Sequence, residues 1–220
     1  MTNHHQPVAK EGYLFIGLFG AATLVLALLG WTVPAFLLLA LTLFTVYFFR
    51  NPERHASQDP NAVISPADGR VVFVGEVEET RFLHTRMLKV SVFMSVFNVH
   101  VNRVPFAGKV VDLFHEKGSF LNAALDKASE CNECCGMLME TSSGQRFLVV
   151  QVAGLIARRI VCYPHVGMTL EKGMRYGLIR FGSRVDLYLP PNWQVNVRPG
   201  DKVVGGETLI GYAESEESSV

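Results

Sequence analysis

The most chemically informative residues are the dipeptide Gly182-Ser183, which separates two strand-like runs at residues 178–181 and 185–189. Because glycine has no Cβ and tolerates strained backbone, the pair is typical of a tight bend between strands. The serine hydroxyl has a second option, since it can attack the carbonyl of Gly182 and move the acyl group from nitrogen to oxygen. Elimination from the resulting ester would cut the chain, and hydrolysis of the new dehydroalanine terminus would leave a pyruvoyl group.

Histidine and aspartate supply candidate acid–base groups for this chemistry. A histidine pKa lies near working pH, so the ring can take a proton from Ser183 and give one to a substrate carbon. Among the seven histidines, His100 follows the apolar run 90–99, where a structural strand-end histidine is the alternative interpretation. Asp68, in Pro66-Ala-Asp-Gly69, is by itself typical of a turn.

Five segments, taken together and in order, resemble the short-form, pyruvoyl-dependent phosphatidylserine decarboxylases. They are Phe-Phe-Arg-Asn-Pro-Glu-Arg at 48–54, Ser-Pro-Ala-Asp-Gly-Arg at 65–70, Asn-Val-His-Val-Asn-Arg at 98–103, Gly-Leu-Ile-Ala-Arg-Arg at 154–159 and Arg-Phe-Gly-Ser-Arg-Val-Asp at 180–186. The resemblance covers residues 13–212, which is nearly the whole chain. One such motif would be weak, whereas five in order are specific.

This resemblance implies a self-cleaving enzyme that converts phosphatidylserine to phosphatidylethanolamine and CO2. Its cofactor would be a pyruvoyl group derived from Ser183. This group would form a Schiff base with the substrate amine and accept the electrons left on Cα when CO2 departs, as pyridoxal phosphate does in other decarboxylases. The family pattern makes Asp68 the orienting carboxylate for His100 in a triad with Ser183. The chains 1–182 and 183–220 would stay associated, and a homodimer is left open.

One position departs from the family pattern. Longer members have a second histidine three places after the one that His100 resembles, and assign processing to it, whereas this chain has Arg103 there. Because a guanidinium cannot accept a proton, either His100 serves both steps or Asn102 or Arg103 has taken up part of one. A lipid phosphate favours an arginine partner, and the candidates are Arg103, Arg158 and Arg159.

The N-terminal region predicts a membrane hairpin. Residues 13–49 contain no charged side chain. Helix-breaking chemistry at residues 30–34 divides them into the runs 13–30 and 32–49. Each run is just long enough to cross a bilayer core of roughly 30 Å.

The flanking charges predict the orientation of this hairpin. Lys10 precedes it, and Arg50 and Arg54 follow it, which places both ends on the cytoplasmic side. A signal peptide and a buried core hairpin are the alternatives, but no small-residue cleavage site follows either run. We therefore expect the protein at the cytoplasmic face of the cell membrane, held by a spanning or re-entrant hairpin.

The rest of the chain predicts a mostly β fold. A loose N-terminus (1–12) precedes the hairpin (13–49), and a linker (50–61), a catalytic β domain (62–213) and an acidic, disordered tail (214–220) follow it. Strand-like runs within the domain cover 70–77, 87–94, 108–114, 137–141 and 146–152. Residues 119–129 predict its one helix.

A weak internal repeat suggests a barrel-like or sandwich arrangement. Gly167-x-x-Leu170-x-x-Gly173 recurs 33 positions later as Gly200-x-x-Val203-x-x-Gly206. Paired turns of this kind resemble the hammerhead motifs of biotinyl and lipoyl carrier domains.

Composition limits the alternatives. The net charge is zero, so the sequence lacks the excess of basic residues that is typical of nucleic-acid-binding proteins. Cys131-Asn-Glu-Cys134-Cys135 has one C-x-x-C spacing, but a structural zinc site needs four ligands, so no metal is expected.

Two other functions remain open from the residues alone. A membrane-anchored serine hydrolase could use Asp68, His100 and Ser183, although the chain lacks a G-x-S-x-G elbow. A non-enzymatic adaptor of the biotinyl or lipoyl type would need a modifiable lysine, and only Lys172 and Lys202 flank the repeated turns. A break before Ser183 would distinguish the lyase from both.

Overall fold

The chain forms two units, Met1–Glu53 and Arg54–Val220. The computed structural model describes residues 6–118, 132–154, 159–180 and 182–214. The predicted helix at 119–129 lies outside the described residues, as does nearly all of the predicted tail at 214–220.

The first unit is a pair of apolar helices. A 3-10 turn, Lys10–Gly12, leads into α1 (Tyr13–Leu28), and α2 (Thr32–Phe48) follows. Gly30 lies between them with a φ of 76°, a conformation that glycine adopts without steric cost. Lys10–Leu28 is long and apolar enough to cross a membrane, while Thr32–Phe48 is a shorter apolar helix.

Backbone hydrogen bonds connect the residues before α1 to the end of α2. Within this unit, Ala9 N–H donates to the Phe49 carbonyl at 2.8 Å, and Asn51 N–H donates to the Pro7 carbonyl at 2.7 Å. These bonds satisfy backbone groups at and beyond the C-terminal end of α2 that the helix itself leaves unpaired, and the loose N-terminus at 1–12 stays a prediction.

The second unit is mostly β, as predicted. Its strands are β1 (Ala62–Ile64), β2 (Gly69–Glu79), β3 (Thr85–Met94), β4 (Val101–Arg103), β5 (Gly108–Glu116), β6 (Cys134–Glu140), β7 (Arg146–Ala153), β8 (Ile160–Cys162), β9 (Thr169–Leu170), β10 (Arg175–Ile179), β11 (Ser183–Leu189), β12 (Gln194–Val195), β13 (Lys202–Val203) and β14 (Leu209–Tyr212). An eight-stranded sheet, in the order β13-β2-β3-β11-β7-β6-β5-β9, curls into a half-barrel. Two three-stranded sheets, β1-β14-β12 and β4-β10-β8, complete the unit.

Strand β11 lies in the interior of the large sheet and begins at Ser183. It pairs with β3 on one side and with β7 on the other, antiparallel in both cases. Val185, Leu187 and Leu189 alternate along it and are fully buried in the main core. Burial of such side chains contributes about 1.5–3 kcal/mol each, so the register that places Ser183 at the strand start is strongly specified.

The two repeated segments adopt the same local geometry. All four of their glycines have positive φ: Gly167, Gly173, Gly200 and Gly206. Between each pair lies a two-residue strand with one buried apolar residue, Leu170 in β9 and Val203 in β13. The likeness to carrier-domain hammerheads stays a prediction.

Candidate active site

Ser183 is buried at a junction between two sheets. Strand β10 belongs to the small sheet with β4 and β8, and β11 belongs to the large sheet. Gly182 makes the turn between them with a φ of 66°. The predicted bend is thus confirmed, and it joins two sheets instead of closing a hairpin. Only glycine adopts this left-handed backbone readily.

The Ser183 hydroxyl has no hydrogen-bond partner among the described residues, although its side chain is fully buried. A buried polar group without a partner costs about 1–3 kcal/mol. Such a group calls for an explanation, and a reactive role is one of the few available.

His100 contacts Gly182, the residue before Ser183. The residue is 2% exposed, and its Nε2 accepts from Gly182 N–H at 3.4 Å. Its Nδ1 lies 3.0 Å from the Asn98 carbonyl oxygen. A carbonyl can only accept, so Nδ1 carries the hydrogen and Nε2 of the neutral ring keeps a lone pair. The basic nitrogen therefore faces Gly182, the residue predicted to precede the cut.

A tight turn before β4 fixes this ring. Asn98 Oδ1 accepts from both the N–H and the Oγ of Ser95, at 2.8 Å each, and Asn98 N–H donates to the Ser95 carbonyl at 3.0 Å. The motif at residues 98–103 predicted His100 but not this role of Asn98. Serine and asparagine three residues apart are a common turn signal that could have found it.

Asp68 has other described partners than the one predicted for it. Arg54 Nη2 donates to its two carboxylate oxygens at 3.3 and 3.0 Å. Gly205 N–H donates to Oδ1 at 2.8 Å. In this structure the described partner of His100 Nδ1 is the Asn98 carbonyl, and an orienting role for Asp68 stays a prediction.

The three predicted phosphate-binding arginines have different surroundings. Arg103 is 7% exposed and donates from Nη1 to the Gly173 carbonyl at 3.0 Å. Burial, followed by the charges of Arg175 and Arg54, lowers the pKa of Arg103 to about 10. It thus remains a cation at neutral pH. Arg159 is exposed and Arg158 lies outside the described residues.

A buried amide pair lies on the same face of the sheet as Ser183. Gln151 Nε2 donates to Asn102 Oδ1 at 2.8 Å, and both side chains are fully buried. Asn102 Nδ2 in turn lies 3.5 Å from Met94 Sδ, and Met94 is the register partner of Ser183. The signal for this pair was a single glutamine in the apolar run Phe-Leu-Val-Val-Gln-Val-Ala.

The described cysteines pack in two separate places, since Cys135 and Cys162 contribute to the main core and Cys134 contributes to a smaller apolar cluster. A hydrogen bond from the Cys162 thiol, helped by His115 and opposed by burial, lowers the pKa of Cys135 below its usual range. Cys134 Sγ lies 3.9 Å from Glu116 Oε2, and Cys131 lies outside the described residues. Within the part of the chain that the structure describes, no three His, Cys, Asp or Glu side chains form a candidate metal site.

Comparison with known proteins connects this site to one family. The model of the family described as phosphatidylserine decarboxylase matches residues 41–211. A protein of Syntrophotalea carbinolica named phosphatidylserine decarboxylase proenzyme is 61% identical over 212 residues, 96% of this chain and 99% of the relative. Proteins of the same name from Geobacter metallireducens and Geotalea uraniireducens are 56% and 54% identical, with the same coverage.

Proposed function

Because this chain belongs to the phosphatidylserine decarboxylase family, it is a self-processed decarboxylase that converts phosphatidylserine to phosphatidylethanolamine and CO2, and we propose that Ser183 is where its proenzyme is cut and its pyruvoyl group forms. The observation that carries this proposal is the buried, unpartnered Ser183 hydroxyl beside a left-handed glycine and a histidine lone pair. The family membership favours this lyase over a serine hydrolase or a carrier-like adaptor.

The proposed cut needs one base and no outside reactant except water. His100 Nε2 takes the proton of Ser183 Oγ, and Oγ bonds to the carbonyl carbon of Gly182. The C–N bond breaks, and the amide nitrogen receives the proton. Loss of the Ser183 Cα proton then expels the Gly182 carboxylate, and water displaces ammonia from the resulting dehydroalanine to leave the pyruvoyl carbonyl.

Local space around Gly182 supports this reaction. Apart from Gly182 itself and its two chain neighbours, no atom of the described residues lies within 4 Å of the position that a Cβ at Gly182 would occupy. The carbonyl carbon must become tetrahedral during the attack, and the open side of Gly182 accommodates that movement. On the opposite side, Ser183 is fixed by its two neighbouring strands. A rigid nucleophile beside a movable carbonyl reduces the entropy cost of the reactive geometry.

The residues present fit a pyruvoyl group at position 183. Once formed, it supplies a carbonyl that condenses with the substrate amine and takes up the electron pair left when CO2 departs. His100 is the group that we assign to hand a proton to the substrate Cα, since its basic nitrogen faces Gly182, the residue next to this position. Arg103 stays protonated at neutral pH, so we assign both proton transfers to His100.

The purified protein is expected to consist of two fragments, residues 1–182 and 183–220. The small fragment contains β11 to β14, which pair with β3 and β7, with β2 and with β1 of the large fragment, so the two should copurify. Intact mass after denaturation measures the cut, and borohydride should add mass to the small fragment alone. An active protein that is intact by mass would contradict the proposal.

We also propose that residues 13–49 attach the enzyme to the cytoplasmic face of the membrane. Large apolar side chains of both helices are open to the surroundings, with Leu14 68% and Phe36 73% exposed. So much exposed apolar surface is unfavourable in water, and a lipid bilayer is a suitable environment for it because residues 13–49 have no charged side chain. The basic residues Lys10 and Arg50 at the two ends favour the cytoplasmic side.

Removal of residues 1–53 should separate attachment from chemistry. The truncated protein keeps Arg54 and its ion pair with Asp68, which lies at 3.0 Å. We expect the truncated protein to stay in the supernatant and to cut itself at the rate of the full chain. On vesicle-borne phosphatidylserine it should decarboxylate about tenfold more slowly, which corresponds to a loss of about 1.4 kcal/mol in transition-state stabilisation. Flotation with vesicles, mass and product formation measure the three properties.

The matched control is a short-chain substrate dissolved as monomers, on which the truncated and full-length proteins should be equally active. Full-length protein that alkaline carbonate strips from membranes would contradict an integral hairpin.

A further inference from the structure

A cleft of about 570 Å³ opens at the end of the large sheet where β11 begins. Its walls include Ser95 and Asn98, the two residues that fix His100, and Phe93, the register partner of Arg184. The remaining lining residues are Asp68, Gly69, Arg70, Lys202, Val203 and Val204. Its volume is within the range of small-ligand sites.

Two basic side chains stand next to each other in this cleft. Arg70 on β2 and Lys202 on β13 are direct cross-strand partners in an antiparallel pair, so their Cβ atoms are about 4.5–5.5 Å apart on one face. Like charges at opposed positions destabilise a sheet. Arg70 Nη1 donates to the Gly200 carbonyl at 2.7 Å, and neither residue forms an ion pair with a carboxylate of the described chain.

Among the described residues that line the cleft, the only carboxylate is that of Asp68, and its charge is already balanced. Asp68 forms an ion pair with Arg54 at 3.0 Å and also accepts from Gly205 N–H. The excess charge of the cleft is therefore that of Arg70 and Lys202. A bound anion would remove the repulsion between them and gain charge-assisted hydrogen bonds from both.

We propose that Arg70 and Lys202 bind the phosphodiester of phosphatidylserine while its serine group lies at Ser183. This assignment rests on the proposed function of Ser183 and names the headgroup contact of that same site. It replaces Arg103 in that role, because Arg103 is 7% exposed and turned to the Gly173 carbonyl. Arg70 and Lys202 are exposed, and the turn that links them to the reacting groups is the one that holds His100.

The test uses full-length Arg70→Gln and Lys202→Gln proteins and the double variant. The substrate is dihexanoyl phosphatidylserine below its micelle-forming concentration, so that no lipid surface is present. Each single change should raise KM about tenfold, as expected for a lost charge-assisted hydrogen bond, with kcat within about twofold of the wild type. Arg86→Gln is the matched control, because Arg86 is an exposed arginine at the opposite end of the β2–β3 pair and should leave KM unchanged.

Two further measurements separate the sources of the anion. Inorganic phosphate should inhibit the wild-type enzyme competitively and lose potency in the double variant. Inhibition that does not compete with substrate would assign the cleft to a free anion and overturn the proposal. An unchanged KM for the monomeric substrate would also overturn the proposal. If the variants are slow only on anionic vesicles, Arg70 and Lys202 contact the membrane surface and not the headgroup of the bound substrate.

Measuring whether each variant has been cut before residue 183 separates a failure of the headgroup assignment from a failure of the proposed function of Ser183. Mass of each variant should show the complete cut before residue 183, because neither side chain contacts the reacting bond. A wild-type protein without that cut would contradict the role of Ser183, whereas cut variants with a wild-type KM contradict only the headgroup assignment.

Discussion

Ser183→Ala protein is expected to remain one uncut chain and to have no measurable decarboxylase activity. Alanine has no oxygen to attack the Gly182 carbonyl, so neither the ester nor the pyruvoyl group can form. The fold should persist, because the Ser183 hydroxyl makes no hydrogen bond with the described residues and the side chain is already buried. Denaturing gels with intact mass measure the cut, and product formation from phosphatidylserine measures the activity.

The chain offers a matched control for this change. Ser91 lies on the neighbouring strand β3, is 1% exposed and also has an unpartnered hydroxyl among the described contacts. It pairs in register with Asp186 and is remote from Gly182. Ser91→Ala should cut and decarboxylate like the wild type. A Ser183→Ala protein that still appears as two fragments would place the cut elsewhere and remove Ser183 from the mechanism.

His100→Ala protein is expected to cut itself about 10²–10⁴-fold more slowly, the usual contribution of a positioned acid–base group. The reason is geometric, since Nε2 is the lone pair that faces Gly182 and Nδ1 is occupied by the Asn98 carbonyl. A time course of intact mass after synthesis measures the rate. The protein that has been cut after long incubation should carry the pyruvoyl group and still decarboxylate slowly, because the same ring serves both steps.

His115→Ala is the control for a histidine outside the site. His115 is half exposed and paired with Glu133 at 3.2 Å, so its removal should change neither rate. If His100→Ala is cut at the wild-type rate, another group is the processing base. If it is cut slowly but then turns over normally, the two steps use different proton donors and acceptors.

The sequence was sufficient for the local parts of this structure. Alternation of apolar residues predicted the strands around Ser183, because a strand with a buried face needs a period of two. The Gly182-Ser183 bend and the hairpin between β6 and β7 were predictable from turn chemistry. The two apolar runs predicted two helices with a break at Gly30, which the structure confirms.

Contacts between distant segments were not predictable in the same way. Asp68 meets Arg54 and Gly205 because the turn after β13 packs on the start of β2, and that packing is a property of the whole sheet. The predicted partner of Asp68 came from a family pattern and not from the residues around it. The cross-strand pair of Arg70 and Lys202 was not predictable for the same reason, since the two residues are 132 positions apart in the chain.

The burial of Ser183 has a consequence for the timing of the reaction. The residue is fully enclosed in the uncut chain, where the continuous backbone through Gly182 ties two sheets together. Within the described part of the chain, Ser183 presents no surface to a phospholipid headgroup in that state. The proposed cut would turn Gly182 into a free end with one attachment in place of two, so the event that creates the reactive group would also free the segment that covers it. Under this proposal, each polypeptide passes an irreversible maturation step before it can admit its first lipid.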